Sequence, residues 1–140
     1  MVDSSGTQAG STMRKYSSIT CNPNSGNFAV SGLLTDSKGE LRTIPQNSTS
    51  GSYTLVSADA GKHVLATGTV TIPNSVFSAG QAITIINNSG SDITLSQGSG
   101  VTLYLTADAT TGNRTLIGRG MATLIYASAS VAYISGSGLS

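Results

Sequence analysis

His63 is the single histidine in the chain, with Asp59 four residues before it and serines on every side. A nucleophile, a base and an orienting carboxylate would have to be assembled from these groups. The specificity such a triad needs is missing. No Gly-x-Ser-x-Gly elbow presents a serine, and a histidine alternating within an apolar strand reads as an edge or interface residue. A carboxylate pair for glycosidic cleavage would be drawn from Asp3, Asp36, Glu40, Asp59, Asp92 and Asp108. All but one of these fall in predicted turns or in an N-terminal arm, where Asp caps and solvates backbone.

The other chemical motifs are equally thin. Gly98-Ser99-Gly100 lacks the Lys-Ser/Thr of a phosphate loop and precedes a strand rather than a helix, so it reads as a hairpin turn. The acidic spacing of an EF-hand is absent. Cys21 has no second cysteine to pair with and no histidine cluster beside it, which makes it a buried small apolar residue by expectation. Asn47, Asn87 and Asn113 each begin an Asn-x-Ser/Thr triplet, a chance occurrence in a chain this rich in those residues. The expectation is therefore a protein with no catalytic, cofactor-binding or metal-binding residues, and not an enzyme.

Charge narrows the partners. Seven basic and six acidic residues give a formal +1, and only 9% of residues are charged, against ~25% in ordinary soluble proteins. The positive field of a nucleic-acid binder is missing, while near-neutral surfaces associate readily, so a homo-oligomer is expected. No run of apolar residues is long enough for a membrane helix. The opening MVDSSGTQAGSTMRKYSS has no signal-peptide core, from which synthesis and folding in a cytoplasm are expected.

Short β-rich runs cut by turn residues dominate the chain, best seen in GQAITIINNSGSDITLSQGSGVTLYLT over residues 80–106. Residues 1–12 read as an arm, too poor in apolar groups to pack alone. Residues 13–52 read as N-terminal strands, a hairpin and a linker, with strands at Arg14 to Cys21 and Asn27 to Leu34. A turn at Asp36-Ser37-Lys38-Gly39 and a returning Glu40 to Ile44 complete the hairpin, and Pro45 to Ser52 is the linker.

Residues 53–140 read as a compact antiparallel β domain with strands at 53–56, 63–67, 69–72, 81–87, 92–97, 101–106, 115–118, 122–127 and 131–135. Between them, Val76-Phe77 is expected to plug one end of the core. Val101, Leu103 and Leu105 alternate with Thr102, Tyr104 and Thr106, which assigns the first set to the core. AITII and ATLIYA are apolar or small on both faces, as in strands covered on two sides by a second sheet or, the preferred reading, a neighbouring subunit. Arg114 and Arg119 flank TLIG; they either brace a hairpin in solvent or bridge a subunit contact to Asp108 or Asp92. The fold class expected is all-β with very little helix, an antiparallel sandwich or jelly-roll-like barrel carrying an N-terminal arm and hairpin.

From about Leu33 onward, LTDSKGELRTIPQNS, YTLVSADAGKHV, VTIPNSVFSAGQAITIINNSGSDITLSQGSGVTLYL, TTGNRTLIGRGMATLIY and ISGSGLS follow one another in order. In that order they resemble a β module that recurs in virion structural proteins of tailed bacteriophages. ATGTVTIP departs from the pattern at Thr69, where a second glycine is expected. The resemblance implies a trimeric, non-enzymatic β domain displayed on a virion. The short arm ahead of the module favours a capsid decoration (cement) protein, whose partners are itself and the major capsid protein or another virion protein. The alternative is a tail-fibre or tail-associated protein whose tip binds a host surface glycan through Tyr104, Tyr126 or Tyr133.

Overall fold

A computed structural model describes residues 19–22, 24–30, 34–37, 39–41 and 43–140. The predicted arm (1–12) and the first half of the Arg14 to Cys21 strand lie outside the described residues. What is described is nearly all β, with a single 3₁₀ turn at Ser57–Asp59. The strands are β1 (Ile19–Asn22), β2 (Asn27–Val30), β3 (Thr35–Asp36), β4 (Gly39–Glu40), β5 (Gln46–Ser48), β6 (Tyr53–Thr54) and β7 (His63–Ala66). After them come β8 (Val70–Ile72), β9 (Ala82–Asn87), β10 (Ile93–Gln97), β11 (Thr102–Leu105), β12 (Arg114–Tyr126) and β13 (Val131–Leu139).

Two small ribbons come first. β1 and β2 pair with each other. The hairpin at Asp36 to Gly39 is present in short form, β3 against β4, with the Gly39 N–H donated to the Asp36 carboxylate at 3.2 Å. Asn27 to Val30 therefore answers to Ile19 to Asn22 and not to the strand after Gly39.

The remaining strands form one curled, barrel-like sheet, and its pairing corrects the antiparallel expectation. β5, β7 and β9 stack parallel to form one wall, while β6, β8 and β10 stack parallel to form a second. The chain winds as a coil: each strand of the first wall is followed by a short corner and then by a strand of the second. Parallel neighbours require such crossovers because a tight hairpin can join only antiparallel strands. Thirteen-residue β12 then runs antiparallel over both walls, its C-terminal half on β9 and its N-terminal half on β10. β13 pairs antiparallel with β12, and β11 lies parallel to β13.

Three sequence readings change with this topology. Gln46–Ser48, inside the expected linker, is the edge strand of the first wall; Pro45 ends the preceding segment but does not prevent pairing from the next residue. The strands expected at 115–118 and 122–127 are one strand interrupted by a bulge, with the register broken between Leu116 and Met121 and Arg119 at φ 66°. Gly98-Ser99-Gly100 is a turn but not a hairpin turn, since β10 pairs with β8 and β12 while β11 pairs with β13.

The core lies between the walls. Val64, Ile83, Ile85, Leu124, Leu103 and Ile134 face inward from one side and meet Val70, Ile72, Ile93, Leu95 and Leu116 from the other, all of them buried. Phe77 closes one end as expected, its ring 4.8 Å from that of buried Tyr126, whereas Val76 stays exposed. A second cap, beside the first strands of the two walls, is polar. Buried Asp59 accepts from Asn47 Nδ2 at 2.8 Å through one carboxylate oxygen, and from the Tyr53 hydroxyl at 2.8 Å and the Val56 N–H at 2.9 Å through the other. Three donors compensate the buried carboxylate. Burial first, and the Asp59 hydrogen bond second, push the Tyr53 phenol above its ordinary range.

Where the coil turns from one wall to the other, successive corners stack backbone on backbone. A Cβ on Gly68 would sit 2.6 Å from the Gly51 carbonyl group, closer than any side chain tolerates. Gly68→Ala is expected to lower stability by ~1–3 kcal/mol through forced backbone displacement. Gly90→Ala, in the next corner, meets open space at a negative φ and is expected to change little. Paired chemical-denaturation curves check this; equal midpoints would mean that the corners are loosely stacked.

Candidate functional site

The groups that could have formed a reactive centre are occupied elsewhere. His63 stands on β7 with its ring nitrogens against the Ile44 carbonyl and Gln46 Oε1, both at 3.1 Å, while Asp59 is held in the polar cap. The two share no hydrogen bond. Asp92 accepts from the Gly118 N–H. Asp108 accepts from Thr110 through its N–H and its hydroxyl, and these two bonds hold its carboxyl below the usual carboxylate range. Asp36 serves its hairpin turn. Asp3 lies outside the described residues, and so does the side chain of Glu40. No group of three potential metal ligands occurs among the described residues.

The sequon asparagines are also structural. Asn47 belongs to the polar cap. Asn87 is fully buried and donates through Nδ2 to the carbonyls of Ser91, Leu116 and Ile117 at 2.8–3.0 Å, while its Oδ1 accepts from Ser89 N–H and Oγ. It ties the β9–β10 corner to the bulge of β12. Asn113, exposed, accepts from the Gln97 N–H. Sequence reasoning gave Asn87 no structural role; its place two residues before the Ser89-Gly90-Ser91 corner is the signal that could have raised it.

Arg114 and Arg119 sit differently from either sequence reading taken whole. Arg114 is buried, with Nη2 donating to the Thr110 carbonyl inside its own loop. Charge reversal there would test folding more than assembly. Arg119 is exposed and donates to the carbonyl and side-chain oxygens of Asn88, bracing the corner. Of the three tyrosines proposed for glycan contact, Tyr126 is buried, donates to the Pro73 carbonyl and is pushed upward in pKa by that burial. Tyr104 and Tyr133 remain accessible and stack on each other at 5.2 Å. A shallow cavity of about 240 Å³ beside the β3–β4 hairpin is lined, among the described residues, by Asp36, Leu41, Thr43, Pro45 and Ala60 with two glycines, and Asp36 is the one ionisable side chain of that described lining.

The surface with the most to offer is the outer face of the first wall. Cross-strand registers assign its rows. Leu65, Ile86 and Met121 form the centre of one row, with Ser48 and Ser137 at its ends. His63, Thr84, Thr123 and Ser135 form the next, with the Thr84 and Thr123 hydroxyls 3.3 Å apart. Ala82, Ile125, Tyr133 and Tyr104 form the third. No Asp, Glu, Lys or Arg occurs in these rows. Met121 and Ile125, at the middle of the face, are 50% and 47% exposed. This is the second apolar side anticipated for AITII and ATLIYA, and among the described residues no second sheet covers it.

No family model, curated protein or solved structure matches the chain. Its chemistry must be read from the geometry alone. That geometry offers the uncharged, partly apolar outer face of a curled sheet, a surface suited to contact with another apolar surface.

Proposed function

We propose that this chain is a non-enzymatic structural subunit of a tailed-bacteriophage virion, a capsid decoration protein that joins its own copies as a homotrimer and stabilises the assembled shell. The observation that carries the assembly half of this reading is the exposed, uncharged outer face of β9, β12 and β13, in a chain with few charges to keep copies apart. The virion half rests on the resemblance of residues from Leu33 onward to phage structural modules. Binding to the assembled shell would stabilise it by mass action, since a ligand of the assembled state alone shifts the equilibrium toward that state.

The test is copy number and shell stability. Quantitative mass spectrometry of purified particles should find hundreds of copies per particle, and shells stripped of the protein should disassemble at lower temperature than decorated ones. A handful of copies would favour the tail-fibre alternative, in which the stacked Tyr104–Tyr133 pair meets a host glycan. Absence from any particle would overturn the virion reading.

A further inference from the structure

We infer that copies of this chain join through the outer face of the first wall, with the symmetry axis running along its strands and Met121, Thr123 and Ile125 of β12 nearest that axis. The inference rests on the proposed reading of the chain as a self-assembling subunit and names the surface that does the work. Three observations support a second copy as the occupant.

The first is the row pattern. Two rows with apolar centres flank a hydroxyl row, and the rows cross the strands. Rotation about an axis parallel to the strands leaves each row at its own height, so every row meets the same row of the next copy. Leu65, Ile86 and Met121 then bury against their equivalents, the Thr84–Thr123 layer meets hydroxyls, and Ile125 and Tyr133 close the third layer. Such a face is self-complementary without any charge having to find its opposite.

The second is the lack of charge itself. A differently charged partner would be selected by rim or core ion pairs, and these rows offer none beyond His63. The third is area. With ~4.8 Å between strands and ~3.4 Å per residue, the face spanned by β5, β7, β9, β12, β13 and β11 measures roughly 24 by 20 Å, about 500 Å² per copy. Three copies would bury on the order of 1,500 Å² in all, about 500 Å² at each of three contacts and less than the ~1,200–2,000 Å² of a two-partner interface, so the seam would hold only with all three contacts closed in one ring.

The test measures mass in solution by sedimentation equilibrium on the full chain and three variants. The wild-type chain is expected to be trimeric. The double variant Met121→Glu/Ile125→Glu should weaken association by roughly 100-fold or more, since it sets carboxylates against one another in a desolvated layer, and should sediment as a folded monomer. Val56→Glu, 46% exposed and outside the three rows, should leave the trimer intact. Thr123→Cys in a Cys21→Ser background should form disulfide-linked chains on mild oxidation, an answer that survives even if the double variant fails to fold. A monomeric wild-type chain would overturn the self-assembly reading. A trimer that tolerates both glutamates, or whose Thr123→Cys chains do not cross-link, would overturn this face alone and leave that reading standing. Dissociation by Val56→Glu as well would also count against the face.

Discussion

Leu103→Asp is expected to leave the chain unfolded. Leu103 is fully buried on β11 and belongs to the core shared by both walls. A carboxylate placed there has no charge partner: Arg114, the buried cation, is turned toward the Thr110 carbonyl. Placing an unpaired charge among apolar side chains, and losing the leucine, together cost more than the ~5–15 kcal/mol by which a domain of this size is stable. Expression in inclusion bodies and loss of the β signal in far-ultraviolet circular dichroism would be the result. Leu103→Met, nearly equal in volume, is expected to cost under ~1.5 kcal/mol. A soluble, cooperatively melting aspartate variant would mean that β11 does not face the core.

The second large effect is expected at Asn87. Its side chain makes five hydrogen bonds at the corner between β9 and β10, and the carbonyl groups of Leu116 and Ile117 on β12 are among its acceptors. Asn87→Ala strands those carbonyls and the Ser89 donors, and each buried group left unpaired costs ~1–3 kcal/mol. A total near 3–5 kcal/mol would lower the melting temperature by more than about 10 °C. Asn87→Asp separates hydrogen bonding from shape: it keeps the outline but sets a carboxylate against three carbonyl oxygens, so it should be at least as damaging as alanine. Asn113→Ala, exposed and bonded once, should shift the melt by only a small fraction of that. If Asn87→Asp melts with the wild-type protein, the corner does not depend on the amide donors.

Both predictions mark the boundary of what the chain reveals when read in one dimension. Leu103 could be assigned inward because Val101, Leu103 and Leu105 alternate with polar neighbours, and the period-2 pattern of a half-buried strand is a local property. Asn87 could not, because its partners on β12 lie some 30 residues away and nothing near it in sequence announces them. The same distinction separates Phe77, recognised as a plug from its place between Pro73 and Gly80, from the Asn47–Tyr53–Asp59 cap, whose members are scattered across a stretch read as linker, strand and turn.

The outer face was half visible. AITII and ATLIYA showed two apolar sides, which is a compositional fact about each strand alone. That Leu65 joins the same row, and that Tyr104 and Tyr133 stack at its margin, depends on parallel pairings between segments far apart in the chain.

Most strand positions, the inward residues of most strands, the scarcity of helix and the low charge were determined by the sequence itself, because alternation, turn residues and composition act over a few neighbours. Tertiary structure alone decided that the strands wind as a coil with parallel walls rather than folding back as hairpins. The equivalent levels Gln46, His63 and Thr84 recur at unequal intervals, so no repeat betrays the coil. A Gly-Ser corner joining two walls has the same residues as a hairpin turn, and only the backbone-to-backbone approach of Gly68 to Gly51 and the long-range pairing energy of the whole sheet distinguish them.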